Sequence, residues 1–407
     1  LDYVIYTRFM GKNTDAEVIL IGAGMAGLSL GGLLSQQGLR VTIIDREDPS
    51  LMATAAFDAR TIALSAGTMD VLSPLGINKN LLAHGEAIRV IDVQEGFDPF
   101  VLNFDTSDIG EQAFGWILPN TAVRSGLYEA CLKHGVTFVT GHSVDSVTAT
   151  DTHGIVTLEN GTILQAPLVV AADGRHSLVR QLLGIDVVQL AYHHTAYVGF
   201  ITHTQPHHGL ALERFYPSGP FAALPFTDTT DGLHRSAIVW SRHQRDIKRD
   251  PINVTDLDTI TDRIREFVDE RYGEIEAVGK WATYPLSLCH AKQMIGPRIA
   301  LISDAAHAIH PIAGQGLNLG MRDIAYLAQH IPQAKAAKND WGSDDFLSAY
   351  QRARRFDVFQ MVAATDILTR LFGVSFPPLR WARSAGLGLV NRVPPLKKFF
   401  MRQAMGR

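Results

Sequence analysis

The most legible chemistry in the chain lies in three glycines, Gly22-Ala-Gly24-Met-Ala-Gly27. They follow Val18-Ile-Leu-Ile21, an apolar run with the texture of a strand buried on both faces, and open a helical stretch over 25–37. In that setting Gly22 allows a tight turn, Gly24 lets the backbone approach a pyrophosphate, and Gly27 permits close helix–strand packing. The anion would rest on the free N–H groups and positive end of the helix. Asp45 ends the next apolar run, Val41-Thr-Ile-Ile44, and is placed to accept from ribose hydroxyls. A glycine-rich helix start without a ligand leaves that aspartate unexplained. The spacing predicts a dinucleotide site, and FAD and NAD fit it equally.

Two further segments carry polar groups after apolar runs. In Ala171-Ala-Asp173-Gly174-Arg-His-Ser177-Leu-Val-Arg180, Asp-Gly makes a sharp turn at a strand's end. Arg180 can anchor that turn through carboxylate or phosphate contacts. The other segment runs from Arg298 through Asp304, His307, His310-Pro311-Ile-Ala-Gly314-Gln315-Gly316-Leu317-Asn318-Leu-Gly320 to Asp323. A helix beginning near Leu317 would turn N–H groups and a positive end toward an electron-rich ligand edge. His307 and His310 are spaced as on one helix face, but no third ligand clusters with them beyond Asp304, so no metal site is expected.

Asp-Gly-x-x-Ser-x-x-Arg resembles the pattern of the flavin hydroxylases. The run His310 to Asp323 resembles, more narrowly, the signature of the ubiquinone-biosynthesis hydroxylases, class A FAD-dependent monooxygenases of the para-hydroxybenzoate hydroxylase fold. The resemblance extends over about 16–406, including the closing Pro395-Leu-Lys-Lys-Phe-Phe-Met-Arg-Gln-Ala-Met-Gly406. It implies that Asp173 and Asp304 hold FAD, Asp304 through the ribityl chain. It also sets Gly316, Leu317 and Asn318 beside the isoalloxazine, where Pro311, Gly314, Gln315 and Gly316 position the reactive ring; no catalytic side chain is assigned. Arg60, in Phe57-Asp58-Ala-Arg60, and Arg124, in Pro119-Asn120-x-x-x-Arg124, resemble cofactor-contacting arginines. The stretch from Arg214-Phe215 to Pro225-Phe226 resembles the strand pair that faces the ring. The chemistry implied is reduction of FAD by NAD(P)H, addition of O2 at C4a, and transfer of oxygen from the hydroperoxide to the ring of a polyprenylated phenol. A single dinucleotide motif suits a nicotinamide that visits transiently. Two departures stand out: Ser303 where the family usually has Gly, and His193-His194 where relatives place a Gln. The two histidines either tune a phenol's proton or form a solvated pair.

The elements that position these groups follow from periodicity. Strands are expected at 136–139, 154–158, 168–172 and 298–302, and helices at 122–134, 256–271 and 317–330. Between 186 and 285, strands such as 194–203, 210–216 and 235–241 alternate with Gly, Pro and Asp turns. The expected fold is α/β: a Rossmann-like FAD-binding domain (16–94 with 119–185 and 286–365), an inserted, mostly antiparallel β-sheet substrate domain (95–118 with 186–285), and a C-terminal helical tail (366–407). A chain of 407 residues, 46% apolar and 19% charged, suits such a two-domain protein. Cys131 and Cys289 form no disulfide framework or metal spacing and read as reduced packing residues. A net charge of −4 carries no nucleic-acid signature. Residues 367–407 hold eight bases and no acid, together with Leu371, Phe372, Phe376, Trp381, Leu387, Leu389, Phe399 and Phe400. That is the composition of an interfacial segment drawn to anionic lipid, helical and broken at Pro377-Pro378 and Pro394-Pro395.

The N-terminus lacks a secretory signal, and the uncharged run 18–39 is interrupted by glycine and glutamine. A cytoplasmic enzyme peripheral on the inner membrane is expected, with other ubiquinone-biosynthesis proteins as potential partners. Two other readings stay open. A hydroxylase of small soluble phenols needs no basic tail but does offer an Arg or Tyr cluster for a substrate carboxylate. A non-catalytic flavin- or lipid-binding subunit would bind FAD without substrate-stimulated NAD(P)H oxidation.

Overall fold

Short apolar runs become the strands of a parallel sheet. The computed structural model describes residues 16–54, 60–98, 101–308, 315–373 and 390–407. Strands Val18–Ile21 and Leu168–Ala171 are buried throughout, as strands covered on both faces must be. They lie in a six-stranded sheet ordered 295–296, 299–301, 168–171, 18–21, 41–45 and 137–140. Every pairing is parallel except the first, an edge hairpin. Helix Met25–Gln36 packs on this sheet and against Asn120–Lys133 and Gln315–Ala336, so one apolar core joins segments far apart in sequence.

A second sheet has eight strands, ordered 307–308, 275–291, 187–203, 234–243, 219–226, 210–216, 90–95 and 101–105. It is antiparallel except where Leu210–Tyr216 runs parallel to Val90–Glu95. Alternation gives it two faces. One buries Leu212, Phe221, Ile238 and Trp240 under Ile260 and Ile264 of helix Leu257–Arg265. The other buries Ala211, Phe200 and Phe226 with Ala66 and Ile117. The helix expected over 256–271 stops at Arg265; Asp269 caps a separate short turn, Glu270–Tyr272, whose tyrosine points into the core. Strand Gly115–Pro119, within the segment expected to join this sheet, pairs instead with Thr61–Ser65 and Glu86–Ile88.

The chain's end is docked, which corrects the view of its bases as uncompensated for two of the eight, Lys397 and Arg407. Helix Pro394–Ala404 starts on its prolines, where their missing N–H costs nothing. Met401 and Met405 fill the second sheet's inner face, and the Met405 carbonyl accepts from Gly67 N at 2.8 Å. Lys397 pairs with Asp108 at 2.6 Å, and Arg407 with Asp70 at 2.8 Å and Glu111 at 2.9 Å. Phe399 and Phe400 remain 55% and 42% exposed. Phe376, Trp381, Leu387, Leu389 and Pro377-Pro378 lie outside the described residues, as do the side chains of Leu371 and Phe372. No helix among the described residues is long and apolar enough to cross a membrane.

Candidate active site

Gly22, Asp173 and Asp304 follow three neighbouring strands of the parallel sheet, 18–21, 168–171 and 299–301. Loops at the carboxyl ends of adjacent parallel strands converge by construction, which is where open α/β sheets bind ligands. Backbone bonds fix the convergence: Ala172 N donates to the Ile21 carbonyl at 2.7 Å, and Ile302 N to that of Ala171 at 3.0 Å.

The three glycines divide their work. Gly22 has φ +108°, and a Cβ on it would lie 2.5 Å from the Ala172 carbonyl oxygen. A Cβ on Gly27 would lie 1.9 Å from the Gly22 carbonyl oxygen, so helix and turn touch backbone to backbone. A Cβ on Gly24 meets nothing within 4 Å. The open side of the helix start is therefore at Gly24, and a phosphate fits there. Asp45 accepts from Ala23 N at 2.6 Å and from Glu47 N at 2.9 Å, which pins it beside the glycine turn.

The backbone at Arg60 is joined to the helix that carries Arg124: Asn120 N, at the start of helix Asn120–Lys133, donates to the Arg60 carbonyl at 3.2 Å. Arg124 Nε and Asn120 Oδ1 are buried without partners, as is Asp173 Oδ1. Such orphaned groups cost free energy until a polar ligand meets them. An open cradle and these free donors and acceptors both fit a bound dinucleotide. Asp173 Oδ2 accepts from Val179 N at 3.1 Å, and burial raises its pKa against the hydrogen bonds it receives. Burial likewise raises Asp304, with Arg175 and His307 pulling the other way.

Arg180 is buried and donates to carbonyls, Ala305 at 2.8 Å and Arg175 at 2.9 Å, and meets no carboxylate among the described residues. It thereby ties the Asp-Gly turn to the Asp304 turn. Helix Gln315–Ala336 begins two residues earlier than expected, so Gly316, Leu317 and Asn318 form its first turn. Gly316 is open, with nothing within 4 Å of a Cβ placed on it. Asn318 acts as a clamp: its Oδ1 accepts from Ser65 N at 3.0 Å and Thr68 Oγ1 at 2.7 Å, and its Nδ2 donates to the Ala63 carbonyl at 2.8 Å. His310, Pro311 and Gly314 lie outside the described residues, as do Phe57, Asp58 and the side chain of Gln315.

Behind this helix start is a buried network that the sequence reading left unassigned. Asp323 accepts from His307 Nε2 at 2.7 Å, Ser303 N at 2.8 Å and Arg354 Nε at 2.7 Å. Arg354 also reaches Asp357, which pairs with Arg322 at 2.5 Å. Asp323 closes the recognised motif, so its position carried a signal; Arg354 had none. Ser303 itself has φ +53°, a backbone region that costs an L-residue about 1–2 kcal/mol, which explains the glycine its relatives prefer. Ser303→Gly is expected to stabilise the protein by about 0.5–1 kcal/mol after the larger unfolded-state entropy of glycine is deducted. The denaturant midpoint of unfolding reads the change.

Arg214 shares with Leu212 the face of the antiparallel sheet that helix Leu257–Arg265 covers, and donates to Asp269 at 2.6 Å, Gln94 at 3.2 Å and the Phe267 carbonyl at 2.5 Å. His194 sits edge-on to His243 with ring centroids 5.1 Å apart, and burial lowers its pKa.

A parallel nucleotide sheet joined through a helix start to a large antiparallel sheet defines the fold of the flavin-dependent aromatic monooxygenases. The solved p-nitrophenol 4-monooxygenase of Pseudomonas putida has it, with a TM-score of 0.77 over 97% of this chain and 99% of that one at 18% identity. The family model described as FAD binding domain matches residues 15–365. The ubiquinone hydroxylase UbiL of Rhodospirillum rubrum is 33% identical across 96% of this chain and 90% of its own length. The 3-demethoxyubiquinol 3-hydroxylase of Escherichia coli is 30% identical across 97% and 99%. The chain belongs to the ubiquinone-biosynthesis hydroxylase family of FAD-dependent monooxygenases. It is an aromatic hydroxylase that uses FAD, with NAD(P)H as co-substrate.

Proposed function

We propose that the enzyme hydroxylates the ring of a polyprenylated phenol in ubiquinone biosynthesis, working as a peripheral protein on the cytoplasmic face of the inner membrane. The end-to-end relationship to ubiquinone hydroxylases carries this reading. The inner face of the antiparallel sheet supports it. That face is apolar around Val198, Val239 and Leu224, and it carries the carboxylates Glu213 at mid-strand and Glu95 at the end of the neighbouring strand. Arg235, at one end, is occupied by Thr227 and the rings of Phe200 and Phe226. Carboxylates repel a benzoate-type substrate and tolerate a neutral phenol.

In this reading the N–H groups around Gly24 hold the pyrophosphate, and Asp45 binds ribose. Arg60, Arg124, Asp173 and Asp304 hold the rest of FAD, and Gly316 and Leu317 turn a helix start toward the flavin. Bound FAD supplies the electrons that allow one atom of O2 to enter the ring. The protein binds, orients and excludes water. At the membrane, Phe399 and Phe400 of the docked last helix insert while Lys398 and Arg402 face anionic lipid.

The test uses FAD-loaded enzyme, NAD(P)H and a polyprenylated phenol in anionic vesicles, with products read by mass spectrometry. One added oxygen per ring is the expected result; NAD(P)H oxidation with no oxygenated product overturns the assignment. Replacing Phe399 and Phe400 with Ser should weaken vesicle binding about tenfold or more, while turnover of a short-chain, water-soluble phenol is retained. Unchanged vesicle binding would leave the helix a packing element alone.

A further inference from the structure

Glu213 is a buried carboxylate with no assigned work. It lies in the middle of strand Leu210–Tyr216, the sixth strand of the eight-stranded sheet, and is 7% exposed. Its neighbour Arg214 faces helix Leu257–Arg265 with Leu212, so alternation sends Glu213 to the inner face with Ala211. Across the ladders its row reads Leu102, Val93, Glu213, Ala222, Val239 and Val198. The carboxylate is the one polar side chain in that row, and it accepts no hydrogen bond from any described residue. Val198, Val239 and Leu224 on this face are only half-buried, so protein does not fill the space before the sheet.

That space adjoins the segment that braces the start of helix Gln315–Ala336. Ala66 and Ile117 pack on the same inner face, and Ala66 follows Ser65, whose N–H the Asn318 clamp holds. The first turn of helix Gln315–Ala336 is thus braced against the segment that covers Glu213's side of the sheet. An unpartnered carboxylate is costly inside an apolar wall, and a ligand hydroxyl relieves the cost.

We propose that Glu213 is a catalytic residue of the hydroxylation: it accepts a hydrogen bond from the substrate's phenolic O–H and takes that proton as the ring is oxygenated. This rests on the aromatic-hydroxylase reading of the site. As the O–H bond breaks toward Glu213, its electron pair enters the ring and raises the nucleophilicity of the carbon that forms the new C–O bond to one atom of O2, while the O–O bond breaks and the other oxygen atom leaves as water. The ring C–H proton then leaves to water, the ring re-aromatises, and Glu213 returns its proton to the phenolic oxygen. The electrons that reduce the second oxygen atom come from NAD(P)H through the flavin, as in the established activity. Burial pushes the Glu213 pKa up to about 7, which suits a group that must take and return a proton near neutrality. The other titratable groups on this face are Glu95, which ends strand Val90–Glu95, Arg235 and the exposed Glu276 toward one end of the sheet, and His194 and His243 toward the other. The segment 61–66 and the buried Met401 and Met405 bring none.

Glu213→Gln keeps the shape and removes a charge that burial opposes, so the fold and FAD content should persist. With the full-length, FAD-loaded enzyme, phenol hydroxylation should fall about 10²–10⁴-fold, while NAD(P)H oxidation continues and is diverted to H2O2. The wild-type kcat should rise with pH through a step near neutrality that the variant lacks, and Glu213→Asp should restore part of the rate. A variant within a few-fold of wild type, with the same pH step, overturns the role of Glu213 alone. A wild-type enzyme that hydroxylates no phenol overturns the hydroxylase reading and this assignment with it.

Discussion

Gly27→Ala should yield an unstable protein that purifies without yellow flavin, and Gly24→Ala a stable protein that is equally colourless. The two substitutions add the same methyl group three residues apart, and the structure separates their effects. At Gly27 the new Cβ would sit 1.9 Å from the Gly22 carbonyl oxygen. Both atoms belong to backbone or are fixed to it, so no rotamer change relieves the clash. Gly22 cannot retreat, because its own Cα side already abuts the Ala172 carbonyl and Asp173 Cα. The helix must therefore lift from the strand, at about 1–3 kcal/mol or more, carrying its N–H groups out of register with the cradle. At Gly24 nothing in the protein lies within 4 Å of the methyl group, so apoprotein stability should change by less than about 1 kcal/mol. The methyl instead enters the space the pyrophosphate needs. Flavin absorbance per chain should fall more than about tenfold in both variants, and thermal unfolding of the apoproteins should separate them. Full flavin retention in Gly24→Ala would place the dinucleotide elsewhere.

That contrast explains why the cradle was legible in the sequence. Gly22, Gly24, Gly27 and Asp45 act through backbone geometry within one strand–helix–strand unit, so type and spacing are enough to state their roles. Asp173 and Asp304 were legible for a related reason: each ends an apolar run, and parallel strands place such ends side by side. Residues whose partners come from other elements were read less well. Arg180 announced a cation but not that two carbonyls would satisfy it. Asn318 stood inside a recognised loop, yet its side chain is spent on Ala63, Ser65 and Thr68. Arg214 drew attention from Glu213 because the sequence does not say which of two adjacent strand residues faces the ring side; the register of six strands decides it. The basic tail looked unpaired because Asp70, Asp108 and Glu111 are remote in sequence and adjacent only once Met401 and Met405 are seated.

The clearest case is Arg354, and it carries the other large expected effect. Asp323 is fully buried, and burial by itself would raise its pKa; His307 and Arg354 more than offset this and hold it below the usual carboxylate range. A carboxyl depressed in the folded state adds stability above its unfolded pKa of about 3.9, and that stability is lost as pH falls through the lower folded value. Arg354→Met removes the cation and leaves a buried anion, which should cost about 3–5 kcal/mol at neutral pH. Asp323 holds Ser303 N and His307, so the Asp304 turn should loosen and flavin retention fall together with stability. If the penalty is the stranded charge, Asp323→Asn in the Arg354→Met background should recover much of the loss, although Asn alone costs stability in the wild type. A denaturation cycle over the four proteins measures that coupling. A double variant no more stable than Arg354→Met would mean that Arg354 acts mainly through Asp357, at the outer end of the network, with Asp323 held in place by His307 and Ser303.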